Sequence, residues 1–123
     1  MSSQAIEAIY ATGHWLLSNG RHAEASDVFR VMVLSKADDE RGWLALGACH
    51  EAIGQRRLAI ELYEIASVAA APAVRCAIAR GRALRALGRD DDAVEAFEAA
   101  RELADAAGDS QLAELALHEG AAS

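Results

Sequence analysis

The sequence predicts an all-α fold, a right-handed solenoid of three helix-turn-helix repeats closed by a C-terminal capping helix. Two observations carry this. Five columns of residues recur every 34 positions: Gly13, Gly47 and Gly81; Gly20, Gly54 and Gly88; Ala25, Ala59 and Ala93; Phe29, Tyr63 and Phe97; Met32, Ala66 and Ala100. A period of this length marks one supersecondary unit stacked on copies of itself. The composition agrees, since thirty alanines against a single proline make the whole chain helix-prone. The repeats span about 6–39, 40–73 and 74–107, the capping helix about 109–119, and residues 1–123 read as a single domain.

The elements follow in order. Helix A of the first repeat is expected from about Gln4 to Ser18, with Asn19-Gly20 as its stop because Gly20 can take the left-handed conformation that closes a helix. Helix B runs from about His22 to Ser35. The second repeat has helix A from about Asp39 to Ile53, with Asp38 or Asp39 as N-cap, and helix B from about Arg56 to Ala69. Pro72 should stop that helix and begin the first turn of the next, where a missing N–H costs nothing. Helix A of the third repeat is expected from about Ala73 to Leu87. Arg89-Asp90-Asp91-Asp92 precedes the apolar positions Ala93, Val94 and Phe97, which reads as an acidic helix start and lacks the alternating oxygen ligands of a calcium loop. That helix continues to about Ala106. A final helix, capped by Asp109 or Ser110, runs to about Glu119, and Ala121 to Ser123 is expected as a frayed tail.

The formal net charge is −7, unevenly spread: residues 90–123 hold ten acids and one base, whereas 1–89 are slightly basic. This argues against a nucleic-acid partner. No stretch is apolar enough for a membrane span and no basic-then-apolar leader opens the chain, so a cytoplasmic protein without membrane insertion is expected. Cys49 and Cys76 fall inside predicted helices and read as small apolar residues. His14, His22, His50 and His118 show no metal spacing, and no catalytic triad or phosphate-cradling loop is present. The chain is therefore expected to be non-catalytic, without cofactor or metal. His50 reads as a packed core residue.

The columns Trp43, Leu46, Gly47, His50, Ala59, Tyr63 and Ala66 of the second repeat resemble the tetratricopeptide repeat (TPR). Gly47, Ala59 and Ala66 lie where the two helices of a repeat must approach closely. The resemblance implies a concave groove lined by the A helices. Counting each repeat from Ile6, Glu40 and Val74, the groove face holds Glu7, Tyr10, His14, Leu17 and Ser18, then Arg41, Leu44, Ala48, Glu51 and Ala52, then Arg75, Ile78, Arg82, Arg85 and Ala86. Of these, Tyr10, Leu17, Leu44 and Ile78 are expected as exposed apolar anchors, and the stripe of Arg75, Arg82 and Arg85 as a partner for acidic groups of a ligand, with pairing to the acidic C-terminal helices as the competing role. Arg80 and Arg89 are assigned to such internal pairs. The TPR domains that clamp acidic C-termini have a lysine and an asparagine where this chain has Tyr10 and His14, so an apolar extended segment is the better-matched ligand.

A closer resemblance runs from Ile9 to about Leu103. I-Y-A from Ile9, N-G-R-H-A-E-A from Asn19, V-F from Val28 and above all L-G-A-C-H-E-A-I-G-Q from Leu46 to Gln55 are similar to the class II chaperones of bacterial type III secretion, whose block typically reads L-G-A-C-R-Q-A-x-G-Q. The resemblance implies a chaperone that holds an extended segment of a hydrophobic translocator, typically of P-x-L-x-x-P type, before export. It implies a peptide site made of Tyr10, His14, Leu17, Leu44, Ala48, Glu51, Ile78, Arg82 and Arg85. Tyr10 and Leu44 match family residue types; Leu17 stands where the family often has tyrosine. Such chaperones carry an extra N-terminal helical region that helps them dimerise, and five residues precede the first repeat here. Trp15, on a helix with no earlier repeat to cover it, has two readings, a self-association surface giving a homodimer or a cap on the stack. A general TPR adaptor in a cytosolic assembly is the alternative function.

Overall fold

The computed structural model describes residues 1–122, and among them seven helices follow one another: α1 Ser3–Ser18, α2 His22–Ser35, α3 Glu40–Ala52, α4 Arg56–Ala69, α5 Val74–Ala86, α6 Asp90–Ala106 and α7 Ser110–Ala121. Each lies within two residues of its predicted limits. The short turns set the stacking. Gly20, Gly54, Gly88 and Gly108 each take a positive φ between 73° and 82°, the left-handed closure that a glycine reaches without strain.

Every helix packs on the next in sequence, and α1, α3, α5 and α7 also touch one another in series, whereas α2, α4 and α6 have no such direct contacts. Helices that touch lie on the inside of the bend. The stack therefore curves with the odd-numbered helices on its concave face, and α7 takes the place of a fourth inner helix.

The 34-residue columns explain the core. A Cβ added at Gly13, Gly47 or Gly81 would fall well inside 3.0 Å of the ring of Phe29, Tyr63 or Phe97 respectively, so each glycine is the seat on which the aromatic ring of its own repeat's outer helix rests. Those rings, with Met32, Ala25, Ala59, Ala66, Ala93 and Ala100, are fully or almost fully buried. Any side chain at the glycine would displace a close-packed ring. Cys49 and Cys76 are buried and unpaired with each other, packing as small apolar groups, and burial pushes both thiols up, Cys76 to about 12 with the Glu40 carboxylate adding to the effect. His50 is buried too, its Nδ1 2.7 Å from Gln55 Oε1.

Caps divide the helices into two kinds. Ser2, Asp39 and Asp109 accept from backbone N–H groups of the first turns of α1, α3 and α7. Helix α6 has no side-chain cap but carries Asp90, Asp91 and Asp92 in its first turn, facing the positive end of the helix dipole.

Two expectations need correction. Pro72 is not in the first turn of α5: it precedes Ala73, the N-cap, whose φ of 43° turns the chain into the helix. Ala73 has no side chain with which to cap, and the carboxylate of Glu40, one repeat earlier, accepts from the Cys76 N–H at 3.0 Å instead. Helix α7 also extends through Ala121 with Ala122 as its cap, past the predicted end; Ser123 lies outside the described residues.

Candidate groove on the concave face

The concave face brings together one column from each inner helix. Tyr10, Leu44 and Ile78 occupy the same register in α1, α3 and α5, and the 34-residue count continues to Leu112 in α7. Tyr10, Leu17 and Leu44 are half-buried, with His14 exposed beside them and Ala48 and Glu51 half-buried further along. They present apolar surface that the core does not consume.

At the N-terminal end the rings are ordered by one another and by a cation. Tyr10 and His14 meet edge-on with centroids 4.5 Å apart, and both approach Phe29 beneath them. The Arg41 guanidinium stacks over Tyr10 at 4.6 Å from its centroid. Arg41 is held there by Glu7 across the groove at 2.6 Å and by Asp39 at 2.8 Å. Both carboxylates are lowered from their ordinary range, chiefly by the hydrogen bond from Arg41, and Arg41 is raised in return. The ring of Tyr10 is thus fixed in orientation while its edge stays open to a ligand.

In the middle, the buried Tyr63 hydroxyl donates to Glu51 Oε2 at 2.6 Å. Burial, reinforced by Glu51, pushes the Tyr63 phenol up, so it remains a donor and keeps the Glu51 carboxylate turned toward the core.

The C-terminal end differs from the sequence expectation. Ile78 is not an exposed anchor; it is 2% exposed and belongs to the buried core built from α4 to α7. Arg82 and Arg85 are both paired with the C-terminal helix. Arg85 donates to Glu119 Oε2 at 2.6 Å and to the Glu119 carbonyl at 2.9 Å, Arg82 donates to Glu119 Oε1 at 2.7 Å, and Arg85 also lies 5.1 Å from the Phe97 ring centroid. Glu119 is lowered from the ordinary glutamate range by Arg85 first, against some desolvation, and then by Arg82. Arg80 and Arg89 do pair internally, with Glu64 and Asp92. Between α3, α5 and α7 a cavity of about 210 Å³ remains, lined by Leu44, Ile78, Ala79, Leu112 and Leu115 with Arg75 and Arg82. A larger cavity, about 710 Å³, lies elsewhere, between the start of α1, residues 35–38 and Ala69, and none of the groove residues lines it.

Leu112, Leu115 and Glu119 were missed as groove elements by the sequence reading, and Arg41 was placed on the groove face without its partners Glu7 and Asp39. The period itself held the signal: Glu7 and Arg41, and again Arg85 and Glu119, are 34 residues apart, one step along a column between neighbouring inner helices.

At the open N-terminal end of the stack, Trp15 is 58% exposed. A shallow apolar depression of about 280 Å³ lined by Ala8, Ile9, Thr12, Val28 and Val31 lies on the same two-helix unit.

No family model matches the chain. A stretch of 68 residues is 32% identical to the low calcium response locus protein H of Yersinia pestis, covering 55% of this chain and 40% of that relative. Among solved structures, a chain of a T3SS complex from Aeromonas hydrophila is 33% identical with a TM-score of 0.80, over 97% of this chain and 78% of that one. The type III secretion translocator chaperone SycD of Yersinia enterocolitica follows at 27% identity and a TM-score of 0.79, over 98% of this chain and 82% of that one. This chain resembles the class II translocator chaperones of type III secretion. PcrH, crystallised with the chaperone binding region of PopD, shares the fold with a TM-score of 0.82 at 27% identity, over 99% of this chain and 92% of that one. These class II chaperones are TPR-like, and the solenoid described above is theirs.

Proposed function

We propose that this chaperone binds, without catalysis, an extended apolar segment of a translocator protein along its concave face and holds it in the bacterial cytoplasm until export. The observation that carries this reading is the row of half-exposed large side chains, Tyr10, Leu17 and Leu44, on an inner face whose core is already filled by Phe29, Tyr63 and Phe97. Exposed apolar surface aligned along a groove is the mark of a binding face. PcrH in complex with the chaperone binding region of PopD supports the same use here, and no helix of this chain is long and apolar enough to cross a membrane.

In this reading Tyr10, Leu17 and Leu44 are the apolar anchors, His14 and Ala48 line the path between them, and Glu51 borders it. Ile78 contributes the floor of the cavity under α7, and Arg82 and Arg85 hold that wall in place through Glu119. An extended segment fits because its side chains alternate, so that every second one can enter the face while the others remain in water. Affinity on the order of micromolar is expected, since ordering a flexible segment costs much of the contact energy. Trp15 and the depression near it support self-association through the open end of the stack.

The experiment is a pull-down from the source organism with the wild type and with Leu44→Asp as baits, read by mass spectrometry. Capture of a hydrophobic secreted protein by the wild type alone is the expected result. Recovery of only cytosolic proteins would replace the chaperone reading with that of a general TPR adaptor.

A further inference from the structure

We propose that the cavity between α3, α5 and α7, with Arg75 at its rim, selects segments in which an aliphatic side chain is followed or preceded within two residues by an acidic one. The proposal rests on the reading of the concave face as a peptide groove and adds a polar criterion to it.

The argument is one of unmet charge. On the concave face Arg41 is committed to Glu7 and Asp39, and both Arg82 and Arg85 to Glu119. Arg75 belongs to the same face, is exposed, and among the described residues has no carboxylate within ion-pair distance. It lines the apolar cavity together with Leu44, Ile78, Leu112 and Leu115. While the groove is empty, water satisfies its five N–H donors. When an aliphatic side chain fills the cavity and the backbone on either side of it covers the rim, that water is displaced, and an unpaired cation beside apolar surface is costly unless an acceptor replaces it. No carboxylate among the described residues stands within ion-pair distance to replace it. A carboxylate on the ligand can do so, and the planar guanidinium can bind it through two parallel hydrogen bonds. Arg82 lines the same cavity, but its guanidinium already donates to Glu119, which it shares with Arg85, so Arg75 is the cation of this rim with no ion-pair partner among the described residues.

The test is affinity selection from a random dodecapeptide display library on three immobilised proteins: the wild type, Arg75→Glu and Leu44→Asp. Helicity of each is checked by far-UV circular dichroism, and Arg75→Gln serves as a second variant. The expected wild-type pool contains an aliphatic residue with Asp or Glu within two positions. In synthetic peptides from that pool, Asp→Asn or Glu→Gln should weaken binding about five- to tenfold, in the range of one charge-assisted hydrogen bond. Arg75→Glu should keep the aliphatic preference and exchange the acid for Lys or Arg, and Arg75→Gln should lose the acid alone. An aliphatic consensus without an acid, or one whose acid persists in Arg75→Glu, overturns the role of Arg75 and leaves the groove standing. Absence of any aliphatic consensus on the wild type, or one unchanged by Leu44→Asp, overturns the groove itself.

Discussion

The two ends of the concave face are built from the same columns and reach opposite states. In α1 and α3 the column residues Tyr10 and Leu44 remain half-exposed, while in α5 their counterpart Ile78 is sealed. In α3 the lower column residue Glu51 accepts from a core hydroxyl, while in α5 its counterpart Arg85 is bound to the next helix. What differs is the surroundings: Ile78 belongs to the buried core, whereas Leu44 only packs against its margin. Position within a repeat sets the register of a side chain, and the packing around it sets how much of it stays exposed.

Substitution by aspartate along one column breaks the comparison most severely. Ile78→Asp places a charge in a dry site and should cost at least about 3 kcal/mol, seen as loss of cooperative thermal unfolding. Leu44→Asp, one repeat earlier, should leave helicity nearly intact and reduce ligand binding on the order of 100-fold in fluorescence anisotropy with a peptide from the captured partner. Equal unfolding of both variants would show that the two ends are alike.

A smaller effect is expected at the aromatic end. Tyr10→Ala removes the ring held under Arg41, and binding should fall about tenfold while the melting temperature changes little, since the ring is only half-buried. Calorimetric titration with the same peptide measures it.

The smallest effect sharpens the C-terminal end. Glu119→Gln weakens the bonds to Arg82 and Arg85 and should cost about 1 kcal/mol at pH 7, given the partial exposure of both arginines. The sign of its pH dependence is fixed by the lowered Glu119 pKa. A carboxylate lowered in the folded state stabilises above its ordinary range, and that contribution is lost as pH falls from about 4.5 through the folded value. The gap in denaturant midpoint between wild type and variant should therefore be open at pH 7 and narrow as the pH falls below about 4.5.

The repeated interior was legible in the sequence because each copy states it independently. Gly13, Gly47 and Gly81 recur with Phe29, Tyr63 and Phe97 since each ring needs a seat without a Cβ, and helix ends were marked by Gly20, Gly54 and Gly88 for a local backbone reason. The groove was legible in direction but not in exposure. Ile78 has the same local pattern as Leu44, and nothing near it in sequence announces that it joins the buried core. The fate of Arg82 and Arg85 depended on Glu119, 37 and 34 residues away, in a helix assigned only to capping. Extending the 34-residue count past the third repeat places Leu112 under Ile78 and Glu119 under Arg85, which is the relation the fold uses.

Site-specific photocrosslinking tests the central claim most directly. A benzophenone side chain is placed at His14, exposed on the concave face, or at Val68, which is 85% exposed on the outer helix α4. Each variant is irradiated with the partner bound. Crosslinks from position 14 and none from position 68 are the predicted result; crosslinks from position 68 alone would place the ligand on the outer face and contradict the account.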